Sequence, residues 1–189
     1  SNGVRMAEII KSLMNRMGEE MVFAPRPIDI NDLVHRELDF FDHNLYFKNN
    51  VQKHIELTPD LPHVMAVYSD ISQSVANLIS NAVDAVKETR RKDLYIRTGL
   101  KPDGLHITVE DSGVGISPDK LETIFESFYS TKSQDETSGR GLGLSISRQL
   151  LSAYGAGLQV KSEPGAGSSF TIVIPPERFA SEEDEASVR

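Results

Sequence analysis

Hydrophobic residues recur along this chain with two different periods, and the change between them separates predicted helices from predicted strands. Recurrence every three or four residues is typical of an amphipathic helix, whereas alternation at every second residue is typical of a half-buried strand. The helical pattern covers residues 6–17, 31–46, 69–90 and 141–154. Alternating or short apolar runs cover residues 51–57, 64–67, 94–100, 105–109, 158–162 and 169–174, of which the last four predict two hairpins.

The order of these elements predicts an open sheet of about five strands with three main helices on one face. This arrangement is an α+β two-layer sandwich. Asp29 or Asn31 is expected to cap the second helix and Ser69 the third, and Pro118 is expected to begin a short helix that ends near residue 126. The first helix can pack on the domain's own core or on a helix of another subunit. Residues 177–189, rich in Glu, Asp, Ser and Ala, are expected to form a disordered tail.

Composition narrows the classes of partner. Twenty basic and 28 acidic side chains give a formal net charge of −8, which argues against a nucleic-acid partner or an anionic membrane surface. The absence of cysteine excludes disulfides, thiolate zinc sites and cysteine nucleophiles. No apolar run approaches the roughly 20 residues of a membrane span. The chain itself is therefore expected to be soluble.

Two glycine clusters mark the stretch with candidate chemistry. Asp111 ends an alternating apolar run and is followed by Gly113 and Gly115, while Gly139, Gly141 and Gly143 precede an amphipathic helix pattern. Glycines at a helix start leave unpaired N–H groups beside the positive end of the helix dipole, which suits a phosphate group. The residues between the clusters form a long connection, typical of a functional lid. Together these features predict a nucleotide site.

The predicted helix over 69–90 carries Asn77, Asn81 and Asp84 on one stripe, nearly opposite its apolar face. Such a stripe needs no function if it faces water. If a ligand lies above the helix, an Asn oxygen is a suitable ligand for Mg²⁺, which takes its other ligands from water and phosphate. Asp111 is either a turn former or an acceptor for an exocyclic amine. The GRGLGL run is not a dinucleotide fingerprint, and no P-loop sequence is present.

The ordered segments NLISNAVDA, DSGVGI, FESFYSTK, GRGLGLSI and GAGSSFTIVIP resemble the ATP-binding catalytic domain of bacterial sensor histidine kinases. That domain belongs to the Bergerat-fold group shared with DNA gyrase B subunits, MutL and heat-shock chaperone ATPases. The resemblance covers roughly residues 25–175. It implies a mixed, mainly antiparallel sheet, a mobile ATP lid over about 117–140, and ATP with Mg²⁺ as cofactors.

The resemblance also implies roles for individual residues. Asn81 would hold the Mg²⁺, and Asp111 would accept a hydrogen bond from the adenine amino group. Asn77, Asn81, Lys132 and Arg140 would serve the catalytic step. The remaining nucleotide-binding positions would be Asp84 and Ala85 on the same helix, Gly113, Gly115 and Ile116 beside the adenine, Ser168 near it, Phe125, Phe128 and Tyr129 in the lid, and Gly139, Gly141, Leu142, Gly143 and Leu144 at the phosphates.

Two departures shape the expected activity. Asn77 stands where fast ATPases of this group carry Glu, and an amide cannot accept a proton from water, so hydrolysis is expected to be slow. The acceptor histidine of the kinases lies in a His-Glu motif, and no histidine of this chain is followed by an acidic residue. The resemblance therefore predicts transfer of the γ-phosphoryl group to a histidine that this chain does not contain.

The expected organisation is a remnant of the dimerisation helix over 1–21, the catalytic domain over 22–176 and the tail over 177–189. Expected partners are ATP, a histidine-bearing dimerisation helix of the same or a partner subunit, and the receiver domain of a response regulator. The expected location is cytoplasmic, with a parent protein that is either free or membrane-anchored. The alternatives are a Bergerat ATPase clamp, an anti-sigma-type protein-serine kinase, and a module that binds nucleotide only to set a conformation.

Overall fold

The computed structural model describes residues 24–126 and 142–186. Strands are β1 (Arg26–Ile28), β2 (Gln52–Leu57), β3 (Val64–Ala66), β4 (Asp93–Lys101), β5 (Gly104–Asp111), β6 (Gly157–Glu163) and β7 (Gly167–Ile174). Helices are α1 (Ile30–Phe41), α2 (Leu45–Asn50), α3 (Tyr68–Val86), α4 (Gly143–Ser152) and α5 (Glu182–Ala186). Single 3₁₀ turns occur at Pro118–Lys120, Thr123–Phe125 and Pro176–Arg178. The helix predicted over 6–17 lies outside the described residues.

Five strands form the main sheet in the order β2-β4-β5-β7-β6. β2 runs parallel to β4, and the other three pairings are antiparallel. The predicted α+β sandwich with a mixed, mainly antiparallel sheet is therefore confirmed. β1 and β3 pair separately as a two-stranded antiparallel sheet.

The core lies between the main sheet and its helices. Fully buried side chains come from alternate positions of the central strands and from the apolar stripe of α3: Leu94, Ile96, Leu105, Ile107, Ile172, Ile71, Leu78 and Ile79. Burying each of these side chains stabilises the fold by roughly 1.5–3 kcal/mol. α3 is thereby held against the sheet along its length, which fixes the opposite stripe of this helix relative to the strand ends.

The segment predicted as one helix over 31–46 is two helices. Asp29 caps α1 as predicted, since its Oδ1 accepts a hydrogen bond from the Asp32 amide at 3.0 Å. α1 ends at Phe41, and Asn44 begins α2 by accepting from the amides of Tyr46 and Phe47 at 2.9 and 3.2 Å. The apolar period continues through both helices, so periodicity did not reveal the second cap.

The predicted bounds of the long helix are also corrected. α3 begins at Tyr68 without a side-chain cap, so Ser69 lies inside its first turn. The helix ends at Val86, four residues before the predicted end. The Lys92 ammonium folds back and donates to the Val86 carbonyl at 2.8 Å, which satisfies a terminal acceptor of the helix.

Residues 177–186, where composition predicts disorder, pack against the small sheet. Phe179 forms an isolated bridge with Val64, and the Ala180 amide donates to the His63 carbonyl at 2.8 Å. The His63 side chain contacts Glu185 of α5 at 2.9 Å. Phe179 packs against the core, and this single apolar anchor is diluted in the acidic composition. Among the described residues, no helix is long and apolar enough to cross a membrane.

Candidate functional site

Three polar side chains form a row across one end of the main sheet. Ser162 of β6 pairs with Ser168 of β7, and Ser168 pairs with Asp111 of β5. Directly paired residues point to the same face of a sheet. These three therefore lie on the helix-covered face, where Asp111 and Ser168 are 5% and 6% exposed.

Asp111 is a buried carboxylate in this row. Its Oδ1 accepts a hydrogen bond from the Gly113 amide at 2.8 Å. Burial raises its pKa from 3.8 to about 6, and hydrogen bonds from the backbone amides of Gly113 and Ser168 oppose the shift. At pH 7 the group is thus mainly ionised, and the buried carboxylate has acceptor positions beyond those that these two amides use.

Gly113 brings the loop after β5 against the C-terminal part of α3. A Cβ at Gly113 would lie 2.6 Å from the Cβ and the carbonyl oxygen of Ala85, and 2.6 Å from Asp111 Oδ1. The next residue, Val114, donates its amide to the Ala85 carbonyl at 3.3 Å. Only glycine allows this approach, which places Asp111 beside Ala85 of α3.

Gly115 and Gly167 are required by the protein itself. Gly115 has φ +70°, and a Cβ there would lie 2.0 Å from the Glu163 carbonyl oxygen. Gly167 has φ +110°, and its Cβ would lie 1.9 Å from the Asp111 carbonyl oxygen. The close contact with the turn between β6 and β7 therefore explains why residue 115 is glycine. A bound ligand is not needed to explain it.

The polar stripe of α3 is a wall between two other elements. Asn77, Asn81, Asp84 and Ala85 are all half-buried, which separates this stripe from an ordinary solvated helix face. Ala85 lies eight positions after Asn77, a distance of about 12 Å along a helix. Asp84 forms an ion pair with Lys87 at 2.5 Å. One end of the stripe meets the Asp111 loop, and the other meets α4.

Asn77 connects α3 to the beginning of α4. Its side-chain amide nitrogen donates to the Gly143 carbonyl at 3.1 Å and to Ser147 Oγ at 3.0 Å. Ser147 is fully buried and also donates to the Gly143 carbonyl at 2.9 Å. Both amide protons of Asn77 are therefore used to hold the first turn of α4.

The N-terminus of α4 supplies the positive end of a helix dipole. Leu142 is the N-cap residue, with no side-chain cap, and Gly143 and Leu144 begin the helix. The first amides of a helix have no partner within it, so this end of α4 suits an anionic group. A Cβ at Gly143 would meet Asn77 atoms at ordinary contact distance, 3.5 Å or more, so this glycine leaves the helix end close to α3.

The lid predicted over 117–140 is described only to residue 126. Here two 3₁₀ turns replace the predicted helix, and Ile124 is buried. The Arg148 guanidinium of α4 lies 5.5 Å from the centre of the Phe125 ring, so the beginning of the lid is attached to α4. The predicted site residues Phe128, Tyr129, Lys132, Gly139, Arg140 and Gly141 lie outside the described residues.

Three contributors to the site were not singled out in the sequence. Ser162 accepts from the Ile116 amide, Ser147 supports Asn77, and Gly167 allows β7 to approach Asp111. Serine and glycine are common, and these positions lie far along the chain from the residues they support. The one signal that could have identified Ser162 is its position at the end of the predicted strand over 158–162, directly before the hairpin turn that leads to Ser168.

The geometry describes an α+β domain with a buried carboxylate at one corner and the N-terminus of α4, without a side-chain cap, at the other. The family of histidine kinase-, DNA gyrase B- and HSP90-like ATPases matches residues 66–178. The chain therefore belongs to this family, and the predicted catalytic-domain type, that of the sensor histidine kinases, is confirmed.

Similar proteins include the aerobic respiration control sensor protein ArcB of Escherichia coli, 39% identical over 137 residues, covering 70% of this chain and 17% of ArcB. The sensory kinase SasA of Synechocystis is 31% identical over 90% of this chain and 44% of SasA. The chain thus spans less than half of either relative.

Among solved structures, the catalytic domain of histidine kinase ThkA has a TM-score of 0.70 and 27% identity, covering 82% of this chain and 99% of that domain. Full-length ShkA in complex with AMPPNP has a TM-score of 0.68 and 27% identity, covering 84% of this chain and 32% of that protein.

Proposed function

We propose that this domain binds Mg·ATP and transfers the γ-phosphoryl group to a histidine on a dimerisation helix of the same or a partner kinase subunit. The phosphorylated histidine would then serve the receiver domain of a response regulator. The observation that carries the proposal is the α3 stripe from Asn77 to Ala85. It joins the carboxylate corner to the N-terminus of α4, and its length of about 12 Å suits a nucleoside triphosphate lying along it.

At the carboxylate corner, Asp111 would accept a hydrogen bond from the adenine amino group, with Ser168 and Ile116 at the sides of the base. The side chains of Asp111 and Ser168 are buried and already held by hydrogen bonds to Gly113 and Ser162, so these two groups require little reorganisation on binding. At the other corner, the amides of Leu142, Gly143 and Leu144 would bind phosphate oxygens. Arg140 and Lys132 would add positive charge there, consistent with the resemblance of their segments to the kinase lid.

The residues present fit a magnesium ion held largely by the nucleotide. The described residues contain no cluster of three or more acidic, histidine or cysteine side chains that could hold a metal alone. Asn81 lies one turn from both ends of the stripe and offers an amide oxygen, a ligand type that Mg²⁺ accepts alongside phosphate and water. The ion would neutralise the charge that develops on the phosphates. Asn81 would hold it in register with α3.

The chain's own residues favour transfer over hydrolysis. Both amide protons of Asn77 are committed to Gly143 and Ser147, so this side chain orients α4 and cannot accept a proton from water. This disfavours the ATPase-clamp alternative. None of the five histidines stands in a His-Glu motif, and three of them, His54, His63 and His106, are engaged by the carboxylates of Asp93, Glu185 and Asp103. The phosphoryl acceptor would therefore come from a dimerisation helix.

Calorimetry of ATP binding with and without Mg²⁺, on wild type and Asn81→Ala, tests the nucleotide site. We expect Asn81→Ala to lose mainly the Mg²⁺-dependent part of the affinity, roughly tenfold, since one ligand is removed. Asn50→Ala on the exposed end of α2 is the matched control and should bind as wild type. Wild-type protein that binds no adenine nucleotide would overturn the proposal.

Transfer is tested by adding the histidine-bearing dimerisation hairpin of the same kinase with γ-labelled ATP. The expected product is a phosphate on the hairpin that is labile to acid and stable to base. Label that instead appears as free phosphate at a rate independent of the hairpin would favour an ATPase. Label on a serine of a partner protein would favour the anti-sigma-type kinase.

A further inference from the structure

Ser162 lies where three segments meet at the carboxylate corner. Its Oγ donates to the Gly167 carbonyl at 2.9 Å and accepts from the Ile116 amide at 2.8 Å. The same Oγ lies 2.9 Å from Ser168 Oγ. One half-buried hydroxyl therefore links β6, β7 and the loop after Asp111.

The hydrogen bonds around Ser162 determine the direction of the contact with Ser168. A hydroxyl has one proton and two acceptor sites. The Ser162 proton is used by the Gly167 carbonyl, and one acceptor site is used by the Ile116 amide. The remaining site accepts the Ser168 proton. Ser168 Oγ then has only lone pairs to offer on its other side.

The neighbouring group in the row has the same polarity. Asp111 pairs directly with Ser168 across β5 and β7, and its carboxylate is an acceptor when ionised. The side chains of Ser168 and Asp111 therefore present acceptors and no donor. Such a pair favours a base that donates there.

We propose that Ser162 is a specificity-determining residue that sets Ser168 as an acceptor and so selects a 6-aminopurine over a 6-oxopurine. Adenine has an amino donor at position 6 and no proton on N1, whereas hypoxanthine has a proton on N1 and, at position 6, a carbonyl acceptor that would face Asp111 and Ser168. Without the Ser162 oxygen, the Ser168 hydroxyl is released to rotate and donate to a 6-oxo group. This inference rests on the proposed function, because it requires the base to lie against Asp111.

The Ser162 hydroxyl also holds the loop after β5 in place beside Asp111. Its bond to the Ile116 amide joins the loop after β5 to the turn between β6 and β7, which a second bond from the Gly165 amide to the Val114 carbonyl reinforces at 2.8 Å. Loss of Ser162 therefore weakens all purine binding to some degree. A change in the direction of the Ser168 hydroxyl, by contrast, alters the ratio of the affinities for two purines. This ratio therefore distinguishes a role in specificity from structural support alone.

The test compares the affinities of ATP and inosine triphosphate, whose bases differ at position 6 and in the proton on N1, in wild type, Ser162→Ala and Ser162→Thr. We expect wild type to prefer ATP, and Ser162→Ala to narrow the preference by roughly tenfold, about the effect of one hydrogen bond. Ser162→Thr keeps the hydroxyl on a strand and should restore the preference. Ser169→Ala, on the next residue and the opposite face of β7, is the control and should leave the ratio unchanged.

A double mutant establishes whether Ser162 acts through Ser168. Once Ser168 is Ala, Ser162→Ala should change the ratio no further. An unchanged ratio in Ser162→Ala, with ATP binding intact in wild type, overturns this inference and leaves the proposed function standing. Wild type that binds neither nucleotide overturns both. If Ser162→Ala does not fold, the ratio of ATP affinity to inosine triphosphate affinity is measured in two other variants. We expect Ser162→Thr to keep the wild-type ratio and Ser168→Ala to have a smaller one.

Discussion

The two corners of the site are built in different ways. The carboxylate corner, where we propose that adenine binds, consists of paired strand residues, with Asp111 and Ser168 5% and 6% exposed and linked through backbone amides and Ser162. The helical corner, where we propose that the phosphates bind, consists of α3 and α4, and its residues Asn77 and Asn81 are half-buried. A sheet register holds the first corner whether or not a ligand is present, whereas the second depends on how α4 sits on α3.

This difference indicates a division of labour. The carboxylate corner is suited to discriminate between bases, because the acceptor groups of Asp111 and Ser168 are held in place and cannot rearrange for another purine. The helical corner is suited to phosphates, whose oxygens are alike and which require positive potential more than shape. Changes at the two corners should therefore have separable effects on stability, base recognition and phosphate binding.

The largest effect, a loss of stability, is expected from adding a side-chain atom at the carboxylate corner. Gly167→Ala adds a Cβ 1.9 Å from the Asp111 carbonyl at a φ of +110°, and it should lower the free energy of unfolding by about 3 kcal/mol or more. Gly165→Ala is the matched control, since it also has positive φ but has nothing within 4 Å. It should lower the free energy by only about 1 kcal/mol. Urea unfolding checks both, and equal losses would show that backbone conformation alone matters.

Asp111→Asn should separate binding from stability. An Asn amide facing the adenine amino group places donor against donor, so the affinity for ATP should fall by roughly 30- to 100-fold. Calorimetry checks this, with Asn50→Ala as control. A variant that binds as tightly as wild type would show that Asp111 does not read the base.

The same substitution should change how the stability of the protein without ligand depends on pH. The folded-state pKa of Asp111 is raised from 3.8 to about 6, so its favourable contribution is present below about pH 4 and is lost as pH rises through 6. The variant carries no charge at this position, so the difference in free energy of unfolding between variant and wild type should shift in favour of the variant by about 1–2 kcal/mol from pH 4 to pH 7. Urea unfolding at both pH values is the measurement.

Base recognition should weaken in mild acid. Protons compete with the ligand for Asp111 below its pKa of about 6, so the affinity for adenosine should fall about tenfold between pH 7 and pH 5. Adenosine is the probe because it carries no phosphate that titrates in this range. Asp111→Asn should show no such dependence. An equal pH effect in both proteins would place the titrating group elsewhere.

The smallest effect is expected from loosening the helical corner. Asn77→Ala removes the hydrogen bonds to Gly143 and Ser147, and it should weaken ATP binding by roughly three- to tenfold through misplacement of the α4 amides. Adenosine affinity should be unchanged, because the strand row is untouched. Comparing the two ligands in one variant provides the control. Equal losses for both would mean that the corners are mechanically coupled.

Much of the fold was predictable because its signals are local. The change of hydrophobic period identified the strands of the main sheet and the three main helices, and Asp29 was recognisable as a cap. The errors have local causes too. Asn44 begins α2 without interrupting the apolar period, and Phe179 anchors a segment whose composition is otherwise that of a disordered tail.

The candidate site was predictable by residue type and only in part by role. Glycines at 113 and 115 marked the loop that follows Asp111 as a candidate, but the structure explains Gly115 by its contact with the turn at Glu163. Asn77 was recognisable as unusual for an ATPase, whereas its bonds to Gly143 and Ser147, 66 and 70 residues away, were not. The roles assigned to all the site residues, including Lys132 and Arg140, remain predictions.

The sequence by itself determined which segments form helices and strands and which residue types are available for chemistry, because periodicity and backbone preference act over a few residues. Tertiary structure decided that the stripe of α3 opposite its apolar face is a wall of the site, since that depends on where α4 packs. It also decided that Ser162, Ser168 and Asp111 form one row. Strand register brings together residues more than 50 positions apart, and no local preference of the chain encodes that pairing.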